Sequence, residues 1–253
     1  MFAKMDRDNI LTSYYDIREQ YLLNTHQNLR DDAKRHLHRG LLVRLGMMEE
    51  VIVILDAELS KARTPLDGYL SIRLTLFLNA YYFNLAGSLD NLAWALTYHH
   101  SLINNVDEDN PKHRQFAQLL DKRFLAELRN SNLDQLSDTL KPFRDWYWDM
   151  RAFRDPAAHR IPLSVPRSIF SEEDVKEHER LNKEAAQLIA KGERDSGMSL
   201  IHQSYQLGKY MPILVSETSE IKRYDLAGRI NHDHGNWQKI VDAVFRMGFN
   251  AAP

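Results

Sequence analysis

The sequence predicts an all-α fold, a helical bundle, and three observations support this prediction. Only ten glycines and eight prolines are spread over 253 residues, and long segments contain neither. Apolar residues recur at intervals of three and four, the period that gives a helix one apolar side. Apolar residues make up 43% of the chain, enough for a large core. We therefore expect a long, buried central helix and a partly irregular C-terminal region, in one domain that spans residues 1–253.

The first strongly periodic segment is GLLVRLGMMEEVIVILDAELSKA, residues 40–62. Its apolar positions form one stripe at helical spacing: Leu41, Leu45, Met48, Ile52, Leu55 and Leu59. Thr64-Pro65 is expected to end this helix, because the residue before a proline disfavours the helical conformation.

The next segment, residues 67–99, carries two apolar stripes. The first consists of Leu78, Tyr82, Leu85, Leu89, Leu92 and Leu96, and the second of Leu76, Ala80, Phe83, Gly87, Asp90 and Trp94. A helix that is apolar on two sides lies between neighbours, so this segment is predicted to be the central helix of the bundle. Asp90 would then point into the interior, where an unpaired carboxylate is costly, so we expect an arginine from another helix beside it. Gly87 would let another backbone come close to this helix.

Shorter elements follow the central helix. Pro111 can open a helix that continues to about residue 129, and another helix is predicted from Thr139. Further on, Ser171 and Asp174 form the N-terminal capping pattern of a solvated helix.

The C-terminal third is harder to assign to elements. The segment around Ile213, Leu214 and Val215 favours a short hairpin or an extended segment. Pro212 excludes a central strand of a sheet. A last helix is predicted from about Asn236. We expect a core built from roughly residues 40–165, with residues 170–253 as an accessory region.

Composition excludes several functional classes. With 33 basic and 35 acidic side chains, the net charge of −2 gives no overall attraction to nucleic acid or to an anionic membrane. The absence of cysteine excludes disulfides and thiolate metal sites, and it fits a cytoplasmic protein. No segment approaches the ~20 apolar residues that span a bilayer, so we expect no membrane partner. No glycine-rich phosphate loop, GxSxG elbow or HExxH helix is present, and we expect no cofactor.

The segment NHDHGN contains two histidines that are candidate metal ligands, but it does not supply a third histidine. His232 and His234 could bind zinc if His99 or His100 supplied a third ligand. A polar turn before the last helix explains the cluster better, so we expect no metal.

The segment MRAFRDPAAHRIP, residues 150–162, is the candidate functional motif. Aspartate is a favoured N-cap and proline is favoured at the first helical position, so Asp155-Pro156 is expected to start a new turn where the preceding helix stops. Such a break would allow the side chains of Arg154 and His159 to converge on one cleft.

Local charge around this motif is positive. Residues 141–167 contain six basic and three acidic side chains, a net charge of +3 within a chain of −2. Contact with phosphate is therefore expected here, with Arg144, Arg151 and Arg160 as the contacting side chains.

At these residues the sequence resembles the HEPN superfamily of helical-bundle proteins. The signature of that family is an arginine, a polar residue, a few further residues and a histidine, and Arg154, Asp155 and His159 match it position by position. The helix YYFNLAGSLDNLAWAL also resembles the one that precedes the motif in HEPN-like proteins. The resemblance covers roughly residues 40–165 and does not extend to the segment from residue 170 onward.

The resemblance implies metal-independent cleavage of RNA by a homodimer. In catalytic members, two arginine–histidine pairs face one groove, and the RNA 2′-hydroxyl attacks its own phosphate. His159 would move the proton, Arg154 would stabilise the negative charge, Asp155 would cap the turn, and Asp90 would orient Arg154. An antitoxin or another regulatory protein is a further expected partner.

Other interpretations of the motif remain open. Arg154 could pair with Asp90 or cap helix carbonyls while His159 bonds a backbone group, which would give a structural role. The chain would then be a non-catalytic dimerising or nucleotide-binding module in a defence or toxin–antitoxin setting. A third possibility is a small-molecule enzyme with a pocket around Asp90.

Overall fold

The structure, a computed structural model, describes residues 3–25, 29–60, 66–159, 162–217 and 221–249. Within these ranges it does not describe the side chains of residues 24, 25, 154–159 and 217. About 75% of the described chain is helical and only two short strands are present, which confirms the prediction of an all-α helical bundle.

The elements follow one another as short and long helices with one hairpin. The helices are α1 Arg7–Thr25, α2 Asp31–Arg35, α3 Val43–Leu59, α4 Gly68–His100, α5 Pro111–Phe116, α6 Lys122–Asn130, α7 Asp134–Leu140, α8 Arg144–His159, α9 Glu172–Ala190, α10 Arg194–Ser204 and α11 Leu226–Ala243. The strands are β1 Ile213–Glu217 and β2 Ile221–Asp225. A π-helical stretch, His36–Leu42, joins α2 to α3, a 3₁₀ turn, Lys141–Phe143, precedes α8, and a second π-helical stretch, Val244–Phe249, follows α11.

Helix α4 is the central helix, as the sequence predicts. The Asp67 side chain accepts hydrogen bonds from the backbone N–H groups of Tyr69 and Leu70 and caps its start, and Ser101 ends it in a left-handed conformation. The first apolar stripe is buried. The second stripe is not buried along its whole length, because Leu76 is 62% exposed and Asp90 lies at the edge of the core. The expectation that both stripes are buried is therefore wrong.

Arg44 from α3 lies against α4 at Gly87. Its Nε donates to Asn91 Oδ1 at 3.0 Å and its Nη1 to Asn84 Oδ1 at 3.2 Å. A Cβ at Gly87 would lie 2.4 Å from the Arg44 guanidinium carbon. Gly87 therefore admits a guanidinium side chain, where we expected a neighbouring backbone.

Helices α1 and α11 pack together and complete the core on one side of α4. The rings of Tyr14 and Trp237 are 5.8 Å apart, and both side chains are fully buried. Trp237 Nε1 donates to Ser88 Oγ on α4 at 2.7 Å, and Gln20 on α1 donates to Asp242 at 3.0 Å. The core thus draws on residues well outside 40–165.

The C-terminal region contains the predicted elements with one difference. The capping box of Ser171 and Asp174 opens α9, which packs against α10. Strands β1 and β2 form the predicted hairpin, antiparallel, with Ile213 opposite Asp225. The last helix begins at Leu226, ten residues before the predicted start, because Asp225 caps it by accepting the Gly228 N–H.

Candidate functional site

Helix α8 carries the candidate motif in its last six residues. The helix continues without interruption to His159, so the expected break at Asp155-Pro156 is absent. Pro156 removes one backbone donor and crowds the carbonyl four residues before it. Because the helix ends three residues later, this local disturbance falls in the final turn.

The continuous helix changes the expected relation of Arg154 to His159. Five positions along an α-helix separate two residues by about 140° around the axis and by about 7.5 Å along it. The expected convergence relied on a break. The side chains of Arg154, Asp155 and His159, and the whole of Arg160, lie outside the described residues, so their roles stay predictions.

Arg151 lies one turn before the motif and forms an ion pair with Asp90. Its Nη1 donates to Asp90 Oδ1 at 2.8 Å and to the Tyr147 hydroxyl at 2.8 Å. The Arg151 side chain is 9% exposed and that of Asp90 27%. An arginine does pair with Asp90, as expected. The guanidinium of Arg151, which is also a predicted phosphate contact, connects α8 to α4 through this pair.

The segment after the motif is fastened to the same helix. Asn79 on α4 donates from Nδ2 to the Leu163 carbonyl at 2.8 Å and accepts the Leu163 N–H at 3.1 Å. Two residues later, the Val165 N–H donates to Thr75 Oγ1 at 3.0 Å. The motif is thus bracketed by two anchors on α4, the Arg151–Asp90 pair before it and the Asn79–Leu163 pair after it.

A buried network holds the other side of α8 against α11. Asp233 is fully buried and accepts hydrogen bonds from Tyr82 on α4 at 2.8 Å and from Trp146 on α8 at 2.9 Å. Arg229 donates to Asp233 at 2.8 Å and to Asp149 on α8 at 2.7 Å. This network is absent from the sequence-based prediction. The signal that could reveal it is the spacing of four between Arg229 and Asp233 on one helix.

The surroundings of Arg229 in this network favour its positive charge. Burial opposes the positive charge of Arg229, but Asp233 and Asp149 outweigh it and hold the Arg229 pKa above its usual value. Burial and the neighbouring Asp233 raise the pKa of Tyr82, which therefore stays a protonated donor. The Arg229 guanidinium also lies 4.5 Å from the ring centre of Phe153, the residue before Arg154. The last described side chain before the motif is thus held by a charged, buried cluster.

The histidines of NHDHGN do not form a zinc site with His99 or His100. The segment lies within α11, where His232 is exposed and points its Nδ1 at Asp233, 3.2 Å away. His234 is buried, with Nε2 2.7 Å from Ser13 Oγ. His100 bonds the Gly248 carbonyl. Among the described residues, no group of three or more metal-binding side chains comes together.

Buried His234 makes stability depend on pH. Desolvation lowers its pKa from 6.5 to about 3, so the folded protein keeps it neutral while the unfolded chain protonates it near pH 6.5. Its contribution to stability is complete above pH 6.5 and is lost as the pH falls from 6.5 towards 3, by at most about 1.4 kcal/mol per pH unit. We expect urea unfolding between pH 7 and pH 5 to show this decline. Burial also lowers the pKa of His36, His99 and His100, so His234→Gln should make the decline shallower without removing it, and an unchanged slope in that variant would contradict the assignment.

Arg144 lies at the other end of α8, where it lines a cavity of about 310 Å³ together with Lys122, Arg129 and Lys141. Its Nε donates to the Leu120 carbonyl at 3.1 Å. The structure describes the side chains of two of the predicted phosphate contacts, Arg144 and Arg151. Of these two, Arg144 borders a basic surface groove.

A second surface feature is apolar. Helices α3 and α4 share a face on which large apolar side chains are exposed: Val43, Met47 and Leu76. This α3/α4 apolar face borders a groove of about 510 Å³. Exposed apolar patches of this kind mark interaction surfaces in many proteins.

Comparison with known families, with curated proteins and with solved structures finds no match to this chain. In the part of the chain that the structure describes, no helix is both long and apolar enough to cross a membrane.

Proposed function

We propose that this protein is a HEPN-like, metal-independent endoribonuclease that acts through Arg154 and His159. One observation supports this more than any other: the motif ends a helix that is fastened to α4 both before and after it, by Arg151–Asp90 and by Asn79–Leu163. Catalytic groups work best on elements whose position is fixed by surrounding contacts. A cytoplasmic location, expected from the cysteine-free sequence, belongs to the same proposal.

The proposed reaction is a transfer within the RNA chain. The 2′-hydroxyl oxygen forms a bond to the adjacent phosphorus, the bond from phosphorus to the 5′-oxygen breaks, and a 2′,3′-cyclic phosphate and a 5′-hydroxyl result. His159 takes the proton of the attacking hydroxyl or gives one to the leaving oxygen, since its ordinary pKa near ~6.5 suits both directions. Arg154 stabilises the negative charge that builds up on the non-bridging oxygens of the pentacoordinate phosphorus. Arg151 and Asp90 are positioning residues.

Two imidazoles are required at one groove if one is to accept a proton and the other to donate one, so the proposal includes a homodimer. The α3/α4 apolar face supports this part of it, since a two-fold contact places the same patch of both copies together. Asp90, which pairs with Arg151, lies on the same helix, fourteen residues after Leu76.

The dimer can be tested by placing charge on this face. We expect the double variant Met47→Glu and Leu76→Glu to raise the dissociation constant of the dimer at least about 100-fold. The reason is that the dimer would bury like-charged glutamates in an apolar contact. Sedimentation equilibrium over a range of concentrations measures the effect. Val175→Glu, on the solvated helix α9, is the matched control and should leave the mass unchanged. A wild-type chain that stays monomeric at its highest soluble concentration would contradict the proposal.

The second candidate function is a non-catalytic dimerising or nucleotide-binding module, which an antitoxin or another regulator would contact. The continuous α8 favours it, because that helix separates Arg154 and His159 by about 140° around its axis. The small-molecule enzyme with a pocket around Asp90 has no such specific support. RNA cleavage that depends on His159 would decide for the nuclease.

A further inference from the structure

The start of α8 borders a basic groove that the motif does not explain. The groove lies between α6, α7 and α8 and is lined by Lys122, Leu125, Ala126, Arg129, Ser137, Lys141 and Arg144. Four of these seven residues carry a positive charge. Leu125 and Ala126 give the groove an apolar floor, so it offers both cations and a surface for a flat or apolar group.

Most of this charge is not neutralised locally. Arg129 pairs with Asp138, an exposed contact. Within the described residues, no carboxylate lies within 4 Å of the side-chain nitrogens of Lys122, Lys141 or Arg144. Unneutralised cations around a concave surface attract anions, and phosphate oxygens match both lysine and arginine.

An exposed tryptophan lies one turn along α8 from Arg144. Trp148 is 39% exposed and makes an edge contact with Tyr147, their ring centres 5.2 Å apart. Trp146 differs, because its Nε1 is bonded to buried Asp233. Trp148 therefore presents an indole to solvent without an internal hydrogen bond that would explain its place. Large exposed aromatic side chains next to cations are typical of surfaces that bind single-stranded nucleic acid.

The groove, the indole and position 159 lie along one side of α8, whereas position 154 is about 140° away from position 159 around the helix. Positions 144, 148, 152 and 159 are separated by four, four and seven residues, the spacing of one helix face. Fifteen residues at 1.5 Å each give about 22 Å from the groove to the end of the helix. Of the carboxylates near this face, Asp149 is paired with Arg229, and Asp145 lies about 100° from Arg144 and about 60° from Trp148 around the helix.

We infer that this α8 face binds single-stranded RNA, with backbone phosphates in the basic groove and a base stacked on Trp148. The inference rests on the proposed function and deepens it by naming the substrate class and the residues that hold it. A paired duplex buries its bases in its own stack, so an indole on the surface can stack only on an unpaired base. The RNA chain would then run along α8 towards His159.

Binding can be measured without cleavage by using a fluorescent single-stranded 2′-O-methyl oligonucleotide. This oligonucleotide cannot be cleaved because it lacks the 2′-hydroxyl that attacks the phosphorus. We expect the full chain with Lys122→Glu and Lys141→Glu to bind it at least about tenfold more weakly. The slope of log affinity against log salt concentration should become shallower by roughly 0.7 for each phosphate that is no longer bound. Both lysines are exposed, so the variant should keep its fold. Lys176→Glu with Lys183→Glu, the same charge change on exposed positions of α9, is the matched control and should bind normally.

The stacking contact has its own variants. Trp148→Ala should lose at least about fivefold in affinity, and Trp148→Phe should retain most of it, because a phenyl ring can still stack. Normal affinity in both the groove variant and Trp148→Ala, or equal affinity of the wild type for a 2′-O-methyl duplex, would overturn the inference.

The two proposals fail separately. Cleavage that depends on His159, with unchanged binding by the groove and Trp148 variants, would overturn the RNA path and leave the nuclease intact. Weakened binding by those variants, with cleavage undisturbed by His159→Ala, would overturn the assigned chemistry and leave the RNA path intact.

Discussion

Replacing His159 with alanine is expected to reduce RNA cleavage at least about 100-fold, the usual contribution of a general acid or base. The cleavage rate falls because water must then carry out the proton transfer that the His159 imidazole performs at the reacting oxygen. Cleavage of a single-stranded RNA, with analysis of the cyclic phosphate product, measures the effect. His202→Ala, an exposed histidine on α10, is the matched control and should cleave normally.

The same variant separates catalysis from structure. Helical circular dichroism and the midpoint of urea unfolding should match those of the wild type, since one side chain at the end of α8 is removed. A parallel loss of fold and cleavage would favour the structural role of the motif. Cleavage that stops when EDTA is added would contradict the metal-independent reaction.

Asp233→Ala should have the largest effect on stability, a loss of about 3 to 5 kcal/mol in the free energy of unfolding. The substitution leaves the Tyr82 hydroxyl, the Trp146 indole N–H and the Arg229 guanidinium inside the protein without their shared acceptor. Urea unfolding at pH 7 measures the change. Such a loss is a large share of the roughly 5–15 kcal/mol that is typical of a folded domain.

Two further variants identify the cause of that loss. Asp233→Asn keeps an oxygen acceptor but removes the charge that Arg229 requires, so its stability should lie between the wild type and Asp233→Ala. Asp138→Ala breaks an exposed pair with Arg129 and should cost no more than about 1 kcal/mol. An Asp233→Ala protein as stable as Asp138→Ala would show that the network contributes little.

Much of the fold could be predicted because local periodicity determines it. The bounds of α4, the capping box at Ser171 and the hairpin at Ile213 all follow from short-range patterns. The start of α11 could not be predicted in this way because NHDHGN has the composition of a turn. Asp233 and His234 in this segment have hydrogen-bond partners inside the protein, Trp146 and Ser13, which lie far away in sequence.

The candidate site was predictable only in part, for a related reason. A carboxylate on an apolar stripe indicates that a cation must come close, and Asp90 does have an arginine beside it. Which arginine depends on the rotation of α8 about its axis, which is set by packing against two other helices. Pro156 indicated a break, but the effect of a proline depends on how much helix follows it, and here only three residues do.

The packing of α1 on α11 has a consequence for how the protein matures on the ribosome. Tyr14 emerges more than 200 residues before Trp237, the side chain it packs against. Until α11 leaves the ribosomal exit tunnel, α1 has no helix to pack against, and a large part of the apolar core stays exposed. The core of a growing polypeptide of this kind can therefore close only after the residues of α11 have been synthesised.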